Sequence, residues 1–137
     1  MPRFAANLTM MYPELPFLDR FEAAAKAGFK AVEYLFPYEW PAAEIAARLK
    51  ANGLTQALFN LPPGDFSAGE RGIAAIAGRE EEFRASVARA EPYVAATGVK
   101  RVHVMAGLVP RDPASVAVYR GNVIHAAERL GRLGVQV

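Results

Sequence analysis

The sequence predicts an α/β fold in which helices alternate with parallel strands. Two observations carry this. Three segments align on a glycine, "AGFKAVEYLF", "NGLTQALFNL" and "TGVKRVHVMA", and "LGVQV" begins a fourth copy. Each of these glycines (Gly28, Gly53, Gly98 and Gly134) also follows an Ala-rich amphipathic stretch and opens an apolar run. A glycine just past a helix takes the left-handed cap without a Cβ penalty. Helix, glycine, strand, repeated, gives βα units and a parallel sheet.

The helices follow from apolar spacing. Phe17, Leu18, Phe21, Ala24 and Ala25 mark one face of the first, with Pro16 suited to its first turn. Ala42, Ile45, Ala46 and Leu49 mark the second after Pro41. Phe83, Val87, Ala90 and Val94 mark the third, and Pro92 inside that stripe should kink or split it. Glu80, Glu81 and Glu82 open this helix, where negative charge favours the helix terminus. The fourth starts at Asp112-Pro113 and carries Val116, Tyr119, Val123, Ala126 and Leu130. The expected strands are residues 3–8, 31–36, 56–61, 101–105 and the stub 135–137, apolar on both faces as strands covered by helices are.

Four βα units and a strand stub amount to about half of an eight-unit barrel, which typically needs about 250 residues. The expected fold is therefore the N-terminal half of a TIM (β/α)8 barrel, with residues 1–137 as one partial domain. The ending "GVQV" fits this reading, since a strand usually runs about 5–6 residues and this one is cut short. The competing reading is a complete flavodoxin-like binding domain. That domain would carry a helix after its fifth strand, and the sequence lacks its usual phosphate loop or acidic pocket.

Composition narrows the function classes. The 137 residues are 53% hydrophobic and 22% charged, with a formal net charge of only +2. There is no basic stripe, so nucleic acid is not indicated. The chain has no cysteine, which excludes thiolate chemistry and suits a cytoplasmic protein. "MPRFAANLTM" lacks the apolar core of a signal peptide, and no apolar run is long enough for a membrane span.

Sites in parallel α/β folds form at the carboxyl ends of strands. With the glycines as a register, Glu33 lies five residues past Gly28 and His103 five past Gly98. Asn60, seven past Gly53, shares their parity, so all three should face one side of the sheet. Glu33 is either a site carboxylate or a structural one paired with an Arg. His103 is either a site residue or a core imidazole. Asn7, near the end of the first strand, either reaches the site or forms a turn. The long irregular loop 62–78 offers Asp65, Glu70 and Arg71, and Arg binds carboxylate or phosphate bidentately. A Glu70–Arg71 pair could equally be solvated loop polarity. His125 lies off the apolar stripe of its helix and reads as a surface residue, while Tyr34, Phe36, Phe59 and Met105 read as packing. No Walker loop, G-x-G-x-x-G, H-E-x-x-H or G-x-S-x-G is present. Two histidines this far apart make no histidine-based metal site.

"RFAANLTMMY", "PFLDRFEAAAKAGFKAVEYLFPY", "LFNLPPGDFSAGERGIAAIAGREEEFR" and "VHVMAGLVP" resemble the hydroxypyruvate isomerase family. Phe59-Asn60 and "VHVMAG" make the 2-oxo-tetronate isomerase branch the nearer likeness. The resemblance runs along the whole chain and implies a xylose-isomerase-like barrel. It implies an enzyme that interconverts a 2-hydroxy aldehyde and a hydroxy ketone, such as tartronate semialdehyde and hydroxypyruvate. A divalent metal (Mg or Mn) would polarise the oxygens and a carboxylate would move the proton through an enediolate. The resemblance places the catalytic glutamates and metal ligands beyond Val137, so no cofactor and little activity are expected of these residues alone. It leaves here the substrate-facing residues Asn7, Glu33, Asn60, Glu70, Arg71 and His103. Expected partners are a small sugar-acid substrate and, because a half barrel exposes strand edges and apolar surface, a second copy of the chain.

Overall fold

The computed structural model describes residues 2–137. The elements are β1 (Ala5–Asn7), a short 3₁₀ turn (Phe17–Asp19) leading into α1 (Arg20–Lys26), β2 (Ala31–Glu33), α2 (Ala42–Ala51), β3 (Thr55–Asn60), α3 (Glu80–Thr97), β4 (Val102–His103) and α4 (Pro113–Gly131). The strands form one sheet in the order β1-β2-β3-β4. β1 pairs parallel with β2, and β2 with β3. Gly28, Gly53, Gly98 and Gly134 all take positive φ, between 60° and 95°, as their place after helices requires. No helix among the described residues is long and apolar enough to cross a membrane.

The strands are shorter than the apolar runs suggest. Asn7 ends β1 because the chain turns there: the Met10 and Met11 amides both donate to the Asn7 carbonyl, at 3.1 and 2.8 Å. Nor are both strand faces closed. In β1 and β2 the central residues Ala6 and Val32 are buried and their neighbours half-buried, and in β4 Val102 is buried while His103 is exposed. At the chain's end the Val102 amide donates to the Gln136 carbonyl at 2.9 Å, so the stub has begun to pair.

The glycine register slips by one and then recovers. Val32 pairs with Gln56, but an irregularity after Val32 sets Glu33 beside Leu58. Leu58 lies five residues past Gly53, as Glu33 does past Gly28. Leu58 and Asn60 are two residues apart and so share a face.

The chain divides into two compact units, one of residues up to Phe59 with Pro92–Arg101, the other of Asn60–Glu91 with Val102–Val137. The first has a core of Phe21, Val32, Ile45 and Phe59, all fully buried. Aromatic rings extend it: Phe17 stacks on Trp40 at 4.2 Å between centroids and meets Tyr34 edge-on at 5.3 Å. Tyr34 and Gln56 are buried together, with the Tyr34 hydroxyl donating to Gln56 Oε1. Burial pushes the Tyr34 phenol far above its ordinary range.

In the second unit the core is Leu61, Ile73, Ala74, Phe83, Val87, Ala126 and Leu130. Asp112 caps α4 by accepting from the Ser115 amide at 2.8 Å, with Pro113 in the first turn. Two expectations for α4 need correction. Val116 is 52% exposed, while Ala126 and Leu130 are buried as expected and Asn122 joins them on the inward face. Asn122 sits there because its Nδ2 donates to the Ala74 carbonyl at 2.9 Å, which satisfies a buried loop group. His125 is not a surface residue either. It is half-buried, and its Nε2 is shielded from solvent without a hydrogen-bond partner. The cause is its position, three residues past Asn122 and beside Ala126 at the border of the inward stripe.

α3 runs through Pro92 as one helix rather than splitting. Proline costs one backbone hydrogen bond, and burial of Phe83, Val87, Ala90 and Val94 on both sides of it holds the segment helical.

Loop 62–78 is irregular but fastened. Gly72 forms an antiparallel bridge with Ala106. The Ala74 and Ala75 amides donate to the Met105 and Ala106 carbonyls at 3.3 and 2.7 Å. Gly72 has φ +109°, and a Cβ there would lie 2.2 Å from the Met105 carbonyl oxygen. Gly28, at φ +95°, would meet nothing within 4 Å. Gly28→Ala should therefore cost only backbone strain, about 1–2 kcal/mol. Gly72→Ala should cost roughly 2 kcal/mol more, because backbone must move. Urea denaturation of both variants measures the difference; equal losses would show that the contact yields.

Candidate functional site

In the first unit the candidate residues are Asn7 and Glu33. They are directly paired across β1 and β2. Asn7 Nδ2 donates to Glu33 Oε1 at 3.1 Å, while Asn7 Oδ1 accepts from the Thr9 amide at 3.0 Å. Asn7 thus forms the turn and also orients the Glu33 carboxylate. Glu33 has no ion pair with an Arg among the described residues. It is a half-buried carboxylate with one oxygen fixed by a neutral donor.

In the second unit Asn60 and His103 come together at the ends of β3 and β4. The Leu61 amide donates to the His103 carbonyl at 2.9 Å, which sets the two strand ends side by side. Asn60 Nδ2 donates to Met105 Sδ at 3.6 Å. This turns Asn60 Oδ1 toward the ring, 3.3 Å from His103 Nδ1. In the neutral ring the proton then belongs on Nδ1, and Nε2 is left as an acceptor. Asn60 is buried and His103 exposed, so the amide orients an imidazole whose other face is open. That arrangement can accept a hydrogen bond, or a proton, from a hydroxyl.

The loop after β3 carries Glu70 and Arg71, which do not pair with each other through their side chains. Glu70 pairs with Arg79: Arg79 Nη1 contacts Glu70 Oε1, and Nη2 lies 3.1 Å from Oε2. The same guanidinium binds Glu82, with Nε and Nη2 each 2.7 Å from a carboxylate oxygen. Glu70 Oε2 also accepts from the Asp65 amide. Gly64 leaves room for this carboxylate, since a Cβ there would meet Glu70 Oε2 at 2.0 Å. Asp65 closes the turn, accepting from Ser67 Oγ at 2.6 Å and the Ala68 amide at 3.0 Å. Arg71 lies over the Phe66 ring, 4.0 Å from its centroid, and its Nη1 donates to the Phe66 and Glu70 carbonyls.

Sequence reasoning passes over Arg79 and reads Glu82 only as one of three charges that open the helix. Their i,i+3 spacing at the start of a helix was a signal for that pair. The long-range partner Glu70 gave none.

Among the described residues no group of three or more His, Cys, Asp or Glu is placed to hold a metal ion. Glu33 is engaged by Asn7 and His103 by Asn60, and neither belongs to such a group. The described residues therefore do not fit the ligand set of the divalent metal that the sequence resemblance implies.

A family model described as "Xylose isomerase-like TIM barrel" matches residues 21–137. The chain belongs to that family. It is 59% identical, over its full length, to a 2-oxo-tetronate isomerase of Cupriavidus necator, of which it covers 54%. It is 48% identical to the hydroxypyruvate isomerase of Escherichia coli over 95% of this chain and 52% of that one. A solved structure described as AP endonuclease, family 2, from Brucella melitensis superimposes with a TM-score of 0.97 at 50% identity, covering all of this chain and 54% of that one. The chain spans about half the length of the curated relatives it matches, in keeping with four βα units of an eight-unit barrel.

The Arg79 guanidinium holds the Glu70 and Glu82 carboxyls below the ordinary glutamate value of 4.5. Lowered native values mean that the latch contributes in full above that ordinary value and is lost as pH falls through the native ones. The Asp65 amide should thus stay protected from hydrogen exchange at neutral pH and lose protection in acid. In Glu70→Gln that acid-dependent step should be largely absent. A wild-type Asp65 amide insensitive to pH would contradict the latch.

Proposed function

We propose that this chain belongs to a cytoplasmic isomerase that interconverts a 2-hydroxy aldehyde and a hydroxy ketone of small sugar acids, such as hydroxypyruvate or a 2-oxo-tetronate. The observation that carries this is the 59% identity to a 2-oxo-tetronate isomerase along every part of the chain. The name of the Brucella melitensis neighbour raises a nucleic-acid reading. A formal net charge of +2 without a basic stripe speaks against it.

In this reading the chain supplies the substrate-facing residues. Glu33, steadied by Asn7, and His103, steadied by Asn60, accept hydrogen bonds from substrate hydroxyls. Arg71 supplies positive charge, and Glu70 fixes the loop that carries it. The divalent metal, Mg or Mn, and the glutamates that move the proton belong to the remainder of the enzyme. The 137 residues alone are then inactive. They also self-associate, because β1 ends the strand order and leaves an edge open, with Phe4 beside it 72% exposed.

The test is an isomerase assay with hydroxypyruvate and a 2-oxo-tetronate in Mg²⁺ or Mn²⁺. The 137-residue chain should show no turnover and should run above monomer mass in light scattering. Fused to the part of the Cupriavidus necator relative that it does not cover, it should turn over a 2-oxo-tetronate. A folded fusion without activity, beside an active relative, would contradict the assignment. A monomeric chain would contradict the self-association.

A further inference from the structure

We propose that Arg71 is the anchor for the carboxylate of the substrate, presented by Phe66 and by the Glu70–Arg79 latch. This rests on the isomerase reading, which supplies an acid as the ligand, and adds which group reads that acid.

Arg71 is exposed, yet three contacts hold it: the Phe66 ring at 4.0 Å, the Phe66 carbonyl at 3.1 Å and the Glu70 carbonyl at 2.8 Å. Ordering a long, solvated side chain costs entropy, and a surface residue ordinarily stays free. The two backbone contacts use Nη1 alone. Nε and Nη2, the side-on fork that matches a carboxylate, donate to no group among the described residues.

Both acids of the loop, and Glu82 after it, are occupied. Glu70 is held by Arg79 and the Asp65 amide, Glu82 by Arg79, and Asp65 by Ser67 and Ala68. Arg71 is thus a fixed cation without a carboxylate partner among the described residues, in a loop whose acids are already neutralised or bonded.

Its place fits a ligand group. The next residue, Gly72, donates to the Pro63 carbonyl at 2.9 Å and lies against Met105. Met105 follows β4 and accepts from Asn60, the residue that orients His103. Arg71 is therefore fastened at the carboxyl end of β4, where parallel α/β proteins bind their ligands. A cation over an aromatic face with its fork free suits a planar anion such as a 2-oxo carboxylate.

The experiment is binding to the 137-residue chain by NMR titration, with hydroxypyruvate and with dihydroxyacetone. Dihydroxyacetone replaces the carboxylate by a hydroxymethyl group. Wild type should prefer hydroxypyruvate. Arg71→Ala and Arg71→Lys should each weaken hydroxypyruvate roughly tenfold or more and leave dihydroxyacetone unchanged. Phe66→Leu should shift the same preference in the same direction. Unchanged hydroxypyruvate binding in a folded Arg71→Ala variant would overturn the anchor and leave the isomerase reading standing. No binding of either ligand to wild type would overturn the anchor as a site these residues form, and the isomerase reading would still stand or fall by the fusion assay.

Discussion

The close approach of Gly72 to Met105 is the constraint on which the second unit depends. Main chain meets main chain there with no room for a side chain. Everything around it is a consequence. The bridge to Ala106 and the amides of Ala74 and Ala75 fasten the loop to the exit of β4. Asn122 closes the remaining Ala74 carbonyl from α4. Only then can Glu70 reach back over Gly64 to the Asp65 amide, and only then does Arg71 have a defined position.

Each strand end uses the same device, a charged or titratable group steadied by an amide. Asn7 holds Glu33, and Asn60 holds His103. A neutral orienting partner fixes direction without cancelling charge, which an Arg beside Glu33 or an Asp beside His103 would do. The contrast with Glu70 is instructive. Its partner is a guanidinium, its charge is matched, and it serves structure by holding the loop. Glu33 and Glu70 thus differ in the partner each is given, an amide for one and a guanidinium for the other.

Much of this was legible in the sequence because it is local. Glycine after a helix announces positive φ wherever it occurs, and four copies announced the βα repeat. Parity from those glycines predicts one face for Glu33, Asn60 and His103, and the observed register sets Glu33 beside Leu58, two residues before Asn60. What was not legible depends on distant partners. The slip at Val32 and its recovery at Glu33 leave no mark in either strand's pattern. Asn122 reads as a polar interruption of a helix until the Ala74 carbonyl is seen opposite it. His125 is half-buried because it borders the inward stripe of Asn122 and Ala126. Pro92 predicts a kink or a split, and with burial on both sides of it the segment stays one helix.

Loop 62–78 is fastened to the exit of β4 rather than a free excursion between β3 and α3. Amide hydrogen exchange on the 137-residue chain at neutral pH tests this most directly. Ala74 and Ala75 should exchange slowly, within reach of Leu61, whose amide donates to the His103 carbonyl at the end of β4. Exchange of Ala74 and Ala75 at the rate of open chain, with Leu61 still protected, would contradict the account.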